Sequence, residues 1–142
     1  MEHLAILDKK RKLLAKVLSG EKTVESRWYM QRRAPWGVIK TGETIYFKES
    51  GGPVVVRARV AGVLQEELTP EKEAALVRRY GKAIGFSDDG LRDFIPRGKR
   101  YCILVFLEDV QRIAPFEIDK TGFGLMAAWI TAPSIAALRK SS

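Results

Sequence analysis

Leu13-Leu14-Ala15-Lys16-Val17-Leu18-Ser19-Gly20 runs directly into Glu21-Lys22-Thr23-Val24-Glu25-Ser26-Arg27. In the first half the apolar residues Leu13, Leu14, Val17 and Leu18 fall at i, i+1, i+4 and i+5, the stripe of one helix face. Gly20 supplies the stop. In the second half the period changes to two, which predicts a strand with Thr23, Glu25 and Arg27 on one face and Val24 and Ser26 on the other. A carboxylate and a guanidinium two residues apart on one strand face can pair with each other or converge on a ligand. Lys22 falls where the helix hands over to the strand, a natural rim position. Upstream, Asp8 is the expected N-cap, giving an amphipathic helix of about 10 residues. The basic run Lys9-Lys10-Arg11-Lys12 leads into that apolar stripe, so it reads as a solvated helix face rather than a nucleic-acid tail.

Working outward, residues 3–7 form a short apolar piece suited to a first strand, and residues 42–48 read as another. Gly51-Gly52-Pro53 turns the chain back into a long strand over 53–64, with Val54, Val56, Ala58 and Val60 on one face and Arg57 and Arg59 on the other. Between the first signature strand and these come Trp28, Tyr29, Arg32, Arg33 and the loop Pro35-Trp36-Gly37. Thr69 caps a helix opened by Pro70, expected over 71–80 and stopped at Gly81. A short helix is expected over 87–94. Residues 101–107 are nearly all apolar and read as a central strand buried on both faces, the pattern continuing to Ile113. Gly122-Phe123-Gly124 precedes an apolar run in which Trp129 is expected in the core, and residues 133–138 suggest a terminal helix. Five or six mostly antiparallel strands with helices inserted predict an α+β domain built on a small mixed barrel, one domain spanning residues 1–142.

The chain has 142 residues, 46% hydrophobic and 30% charged, which suits one globular domain. One cysteine, Cys102, excludes an internal disulfide and a thiolate zinc cluster. One histidine, His3, leaves no set of imidazoles for a zinc site and makes a Ser-His-Asp triad improbable. No metal and no cofactor is therefore expected. The net charge is +8, of which residues 1–60 carry +7. A basic zone of that kind suits a polyanion, nucleic acid before anionic membrane. The N-terminus has no signal-type apolar run and no stretch nears 18 apolar residues, so a cytoplasmic protein without a membrane partner is expected.

Leu13-Leu14-x-x-Val17-Leu18-Ser19-Gly20 followed by Lys22, Glu25 and Arg27 resembles the signature of the ASCH domain, an apolar helix ending in Gly-x-Lys-x-x-Glu-x-Arg. That family is a branch of the PUA-like fold. The resemblance extends through Gly42-Glu43-Thr44-Ile45-Tyr46-Phe47, the valine-rich strand after it, the late apolar strand 101–106 and Gly122-Phe123-Gly124…Trp129. It implies a small barrel with a cleft beside the signature strand that accepts RNA or a nucleotide. The residue types fit such a cleft. Lys22, Arg27, Arg32, Arg33 and Lys48 can meet phosphates. Trp28, Tyr29 and Trp36 offer stacking platforms, and Glu25 can accept from a base amino group or a ribose hydroxyl. Thr44, Tyr46 and Lys48 share a strand face, which makes Lys48 the expected partner of Glu25 and Arg27 across the cleft.

Three functions remain open at this point. The first is a binding module for RNA or a nucleotide, without chemistry. The second, implied by the resemblance, is a metal-independent hydrolase of modified nucleosides such as acetylcytidine, or a ribonuclease, with Lys22 and Glu25 as the candidate catalytic residues. In the hydrolase scheme a Lys activates a Thr three residues later, whereas here that position is Glu25 and the only nearby threonine, Thr23, is adjacent to Lys22. The third is a purely structural or protein-interaction role, although nothing in the sequence calls for an obligate protein partner.

Overall fold

A computed structural model describes residues 1–86, 97–124 and 126–141. Strand β1 (Glu2–Leu7) leads through a 3-10 turn (Lys9–Arg11) to helix α1 (Leu13–Ser19) and strand β2 (Val24–Tyr29). Strands β3 (Thr44–Glu49) and β4 (Val54–Glu67), helix α2 (Pro70–Ile84), strands β5 (Tyr101–Phe116) and β6 (Trp129–Ala132), and a 3-10 turn (Ala136–Leu138) complete the order. The strands form one six-stranded sheet, β2-β5-β4-β3-β1-β6. β1 and β3 pair in parallel and the other neighbours are antiparallel.

The sheet is an α+β, mixed half-barrel. β4 and β5 lose and regain register at three places along their shared length, and β3 shifts against β4 at Phe47/Lys48. Such bulges increase the twist and bend the strands. The curl encloses a core of Ala5, Leu7, Ile45, Phe47, Val56, Ala58, Val60, Ile103 and Val105, which α1 covers with Leu13 and Val17. A second cluster on another face of the sheet holds Leu4, Tyr46, Phe116, Ile118, Ile130 and Ile135. A third joins Val24, Cys102 and Leu104 to Ile84 and Phe86 at the end of α2. Cys102, Ile103, Leu104 and Val105 are all buried, so the middle of β5 is a central strand with both faces covered.

Several expected elements differ in extent, β4 among them, which runs on to Glu67. The first helix is broken: Lys12 sits at φ +53°, ending the 3-10 turn and opening α1. The Asp8 carboxylate accepts from Lys10 N and closes that turn, so Lys9–Arg11 is not a continuous helix face. Helix α2 passes through Gly81 and stops at Gly85, whose φ of +102° takes the left-handed cap. Gly81 serves packing instead, since a Cβ there would stand 3.3 Å from the Phe86 ring. The terminal segment makes only the 3-10 turn Ala136–Leu138. Strand β5 runs on to Phe116, three residues past the expected end of its pattern. The helix expected over 87–94 lies outside the described residues.

Burial pushes the Cys102 thiol up to about 12, with Glu66 and Glu73 adding to the rise. It should therefore resist a thiol reagent at pH 8 in native protein and react within the dead time of mixing once guanidinium unfolds the chain. Rapid native reaction, followed by absorbance of the released chromophore, would contradict the packing of β5.

Candidate functional site

The half-barrel does not close. Its open side exposes the outer edge of β2 to β1 and to the segment 126–128 that leads into β6. Between them lies a hollow of about 630 Å³ whose walls include Glu25 to Tyr29, Ile6 to Asp8, Arg11, Lys99, Lys120 and Met126 to Ala128. A second hollow of about 650 Å³ adjoins it. The two share Arg27, Tyr29 and residues 126–128, and the second adds Arg33, Phe123 and Trp129. Together they form one groove with Arg27 at its middle.

Strand alternation sends Glu25, Arg27 and Tyr29 to one side of β2, and Ser26 and Trp28 to the other. Glu25 is 3% exposed. Its Oε1 accepts from Ser26 N at 2.9 Å and lies 3.7 Å from Lys22 Nζ and 4.0 Å from Arg27 Nε. Arg27 Nη2 donates to Ile6 O at 3.3 Å, bridging from β2 to β1. Its guanidinium also lies 5.2 Å from the Trp129 ring centre. Two buried atoms of this pair, Glu25 Oε2 and Arg27 Nε, have no hydrogen-bond partner. Buried polar groups are normally satisfied, so an unpaired acceptor and donor just beneath the surface of an open hollow leave this part of its wall short of hydrogen bonds.

Lys22 is 1% exposed and sits behind Glu25 rather than on the rim. Its ammonium donates to Val24 O at 2.8 Å and to Ile84 O. Burial holds Lys22 below the usual lysine range, against the upward pull of Glu25. It therefore cannot meet a phosphate from this position, and its contribution is to place and neutralise Glu25. Thr23 is exposed and is not among the residues that line the hollow.

The remaining expected residues divide. Trp28 lines the hollow with its Nε1 donating to Ser26 Oγ at 2.9 Å. Tyr29 Oη donates to Ala34 O at 3.1 Å, and Arg33 lies over the Tyr29 ring at 5.2 Å, on the groove. Arg32 leaves on another course, 3.8 Å from Glu67 and over the rings of Trp36 and Tyr101. Trp36 packs edge-on against Tyr101 and partly into the core. Lys48 does not line the hollow. It follows Tyr46 onto the face of the second core cluster, where it is 7% exposed, held below the usual lysine range by burial and by Lys120. Phe47, one residue earlier, faces the inner core, so β3 turns Lys48 away from Glu25.

Sequence reading missed Arg11, Lys99 and Lys120. The break at Lys12 is what takes Arg11 off a solvated helix and into the hollow, where burial lowers its pKa and Glu25 raises it. Lys99 and Lys120 carry no local signal, because β5 and the loop after it deliver them from distant sequence.

Behind the groove, Trp129 is fixed by His3. Trp129 Nε1 donates to His3 Nδ1 at 3.3 Å, so Nδ1 is the acceptor and Nε2–H donates to Glu43 Oε1 at 2.8 Å. His3 is completely buried and burial lowers its pKa, against Glu43.

Comparison with known proteins identifies the fold. No protein-family model matches the chain, and no curated protein does. Among solved structures it is similar to the ASCH protein from Zymomonas mobilis, at 21% identity and a TM-score of 0.69 over 98% of this chain and 96% of that one. Crystal structures of two single-substitution mutants of that protein align with the same TM-score, at 21% and 22% identity. The chain thus has the ASCH fold, as the signature implied.

Two outcomes follow from the buried charges. Lys22→Met would strand the Glu25 carboxylate and two carbonyls, and should cost about 3–5 kcal/mol in urea unfolding. Lys9→Met, at an exposed position, should stay within about 0.5 kcal/mol. Since folding depresses the His3 pKa below 6.5, the unfolded imidazole takes the proton first. The stability His3 contributes is complete above that pH and is lost as pH falls through and below it. Unfolding midpoints between pH 7.5 and 5 should show that loss, and His3→Gln should reduce it.

Proposed function

We propose that this chain is an ASCH-family binding module that holds a nucleotide, alone or within single-stranded RNA, in the groove beside β2. The observation that carries the reading is the open groove itself, with Arg27 at its middle and the unsatisfied Glu25–Arg27 pair just beneath its surface. Arg11, Lys99, Lys120 and Arg33 stand around it and suit phosphates. Trp28 and Tyr29 supply aromatic surface beside those cations, where stacking is worth about 1–3 kcal/mol per base. Binding is favoured over hydrolysis because the Lys22 ammonium is committed to two carbonyl oxygens and Thr23 lies off the groove.

The test is a salt titration of fluorescent single-stranded RNA against wild type and variants. Arg27→Ala should weaken binding at every salt concentration. Arg33→Ala should also flatten the dependence of log affinity on log salt, by about 0.7 for each phosphate no longer neutralised. Arg32→Ala should change little, because that side chain is tied to Glu67 off the groove. Trp28→Ala should reduce affinity and leave the slope nearly intact. Affinity no better than that of an unrelated protein of equal charge would overturn the binding reading, and release of a cleaved product would replace it with an enzymatic one.

A further inference from the structure

The outer edge of β2 has a fixed hydrogen-bonding register. Leu107 N donates to Thr23 O and Arg100 N to Tyr29 O, both at 3.0 Å, so the odd-numbered residues of this segment turn their main-chain groups toward β5. The even-numbered residues Val24, Ser26 and Trp28 must then turn theirs outward. Two side-chain bonds agree independently: Lys22 Nζ takes Val24 O, and Glu25 Oε1 takes Ser26 N. Val24 N–H also faces outward, but Val24 does not line the hollow. On the part of the edge that does, what remains is Ser26 C=O, Trp28 N–H and Trp28 C=O, in the order acceptor, donor, acceptor. Among the described residues none of the three has a hydrogen-bond partner, and both residues line the hollow.

We propose that this main-chain edge reads the base of the bound nucleotide, and reads it as adenine. The inference rests on the nucleotide reading of the groove. Adenine offers an amino donor, a ring-nitrogen acceptor and a C2–H that tolerates a carbonyl, which complements the three groups in order. Cytosine matches the first two and then sets its O2 against Trp28 C=O. Uracil and guanine begin with a carbonyl, which faces Ser26 C=O. The side chains of Trp28 and Arg27 leave the strand on opposite faces, one on each side of a base lying in the plane of the sheet. The three groups that line the hollow are one base edge long. Glu25 on Ser26 N–H and Lys22 on Val24 C=O interrupt the edge before them, so an added peptide strand would lack the continuous ladder it needs.

The test is direct titration of the wild-type chain with AMP, GMP, CMP, UMP, IMP and the 2,6-diaminopurine ribonucleotide, with hexamers of A, C and U alongside, read by calorimetry and amide NMR. AMP should bind on the order of tenfold tighter than GMP, CMP or UMP. IMP, which reverses the first two positions, should fall with GMP. The 2,6-diaminopurine nucleotide adds a donor opposite Trp28 C=O and should exceed AMP. The Trp28 amide should shift on binding and the Ser26 amide much less. Glu25→Ala, if folded, frees Ser26 N–H, so that donor, acceptor, donor becomes available and UMP gains several-fold relative to AMP. Equal affinity for all bases would overturn adenine reading while leaving the nucleotide groove in place. Binding of none, as monomer or hexamer, would overturn both. A threonine hexapeptide that shifts the Trp28 amide where AMP does not would make the edge a peptide site and overturn the proposal.

Discussion

The Lys22 ammonium is the interaction on which the rest of this structure depends. Its two carbonyl partners belong to different elements: Ile84 O at the unpaired end of α2, and Val24 O on the outer edge of β2. Helix C-terminal carbonyls lack intrahelical donors and carry the negative end of the helix dipole, so a cation there is stabilised twice. The same cation lies against Glu25. One buried charge thus docks the helix, ends the strand edge and lies 3.7 Å from a buried carboxylate. Just beyond Ile84, Gly85 ends the helix at φ +102°, the left-handed conformation that favours glycine, with the Leu13, Lys16 and Lys22 side chains packed around it. Desolvating an ammonium is costly, and only this density of oxygen ligands offsets it.

An open sheet edge is ordinarily a hazard, since unpaired main-chain groups recruit other strands. Here the edge of β2 is partly spent on its own side chains. Lys22 closes the carbonyl at one position and Glu25 closes the next amide. Arg27 crosses the gap to Ile6 O, so that the two lips of the half-barrel are tied without a ladder between them. The groove is therefore a consequence of the sheet's failure to close, and its polar lining is the means by which that failure is made tolerable.

Much of this was legible in the sequence because it is written locally. The period change at Gly20, the alternation of Val54 to Val60 and the apolar run after Tyr101 each predict their own element. The signature triplet Lys22, Glu25 and Arg27 does converge in space. What the sequence did not disclose depends on long-range geometry. Whether Lys22 sits on a rim or beneath it turns on Ile84, sixty-two residues later. Whether Lys48 faces the groove turns on a strand register, in which one residue's difference exchanges the two faces. Arg32 and Arg33 are adjacent and equally basic, yet neighbours from β4 and β2 draw them apart. Helical periodicity places Arg11 on a solvated helix face, and the single left-handed residue Lys12 takes it off that helix.

The orientation of Arg27 draws on both ends of the chain. Its guanidinium rests on Trp129, Trp129 donates to His3, and His3 is held by Glu43 and Thr131. His3 lies on β1 and Trp129 on β6, paired strands at the open side of the sheet. An arginine that merely waited in solvent would lose rotamer entropy on meeting a ligand, at a cost of about 0.5–1.5 kcal/mol for an immobilised side chain. Arg27 has already lost that freedom to Ile6 O and the indole face, and its buried Nε is left without a hydrogen-bond partner. The imidazole is buried neutral because its Nδ1 must accept, so no extra positive charge stands behind the guanidinium. Folding has thus met the ordering cost of this side chain in advance, at a place where the wall of the groove is still short of hydrogen bonds.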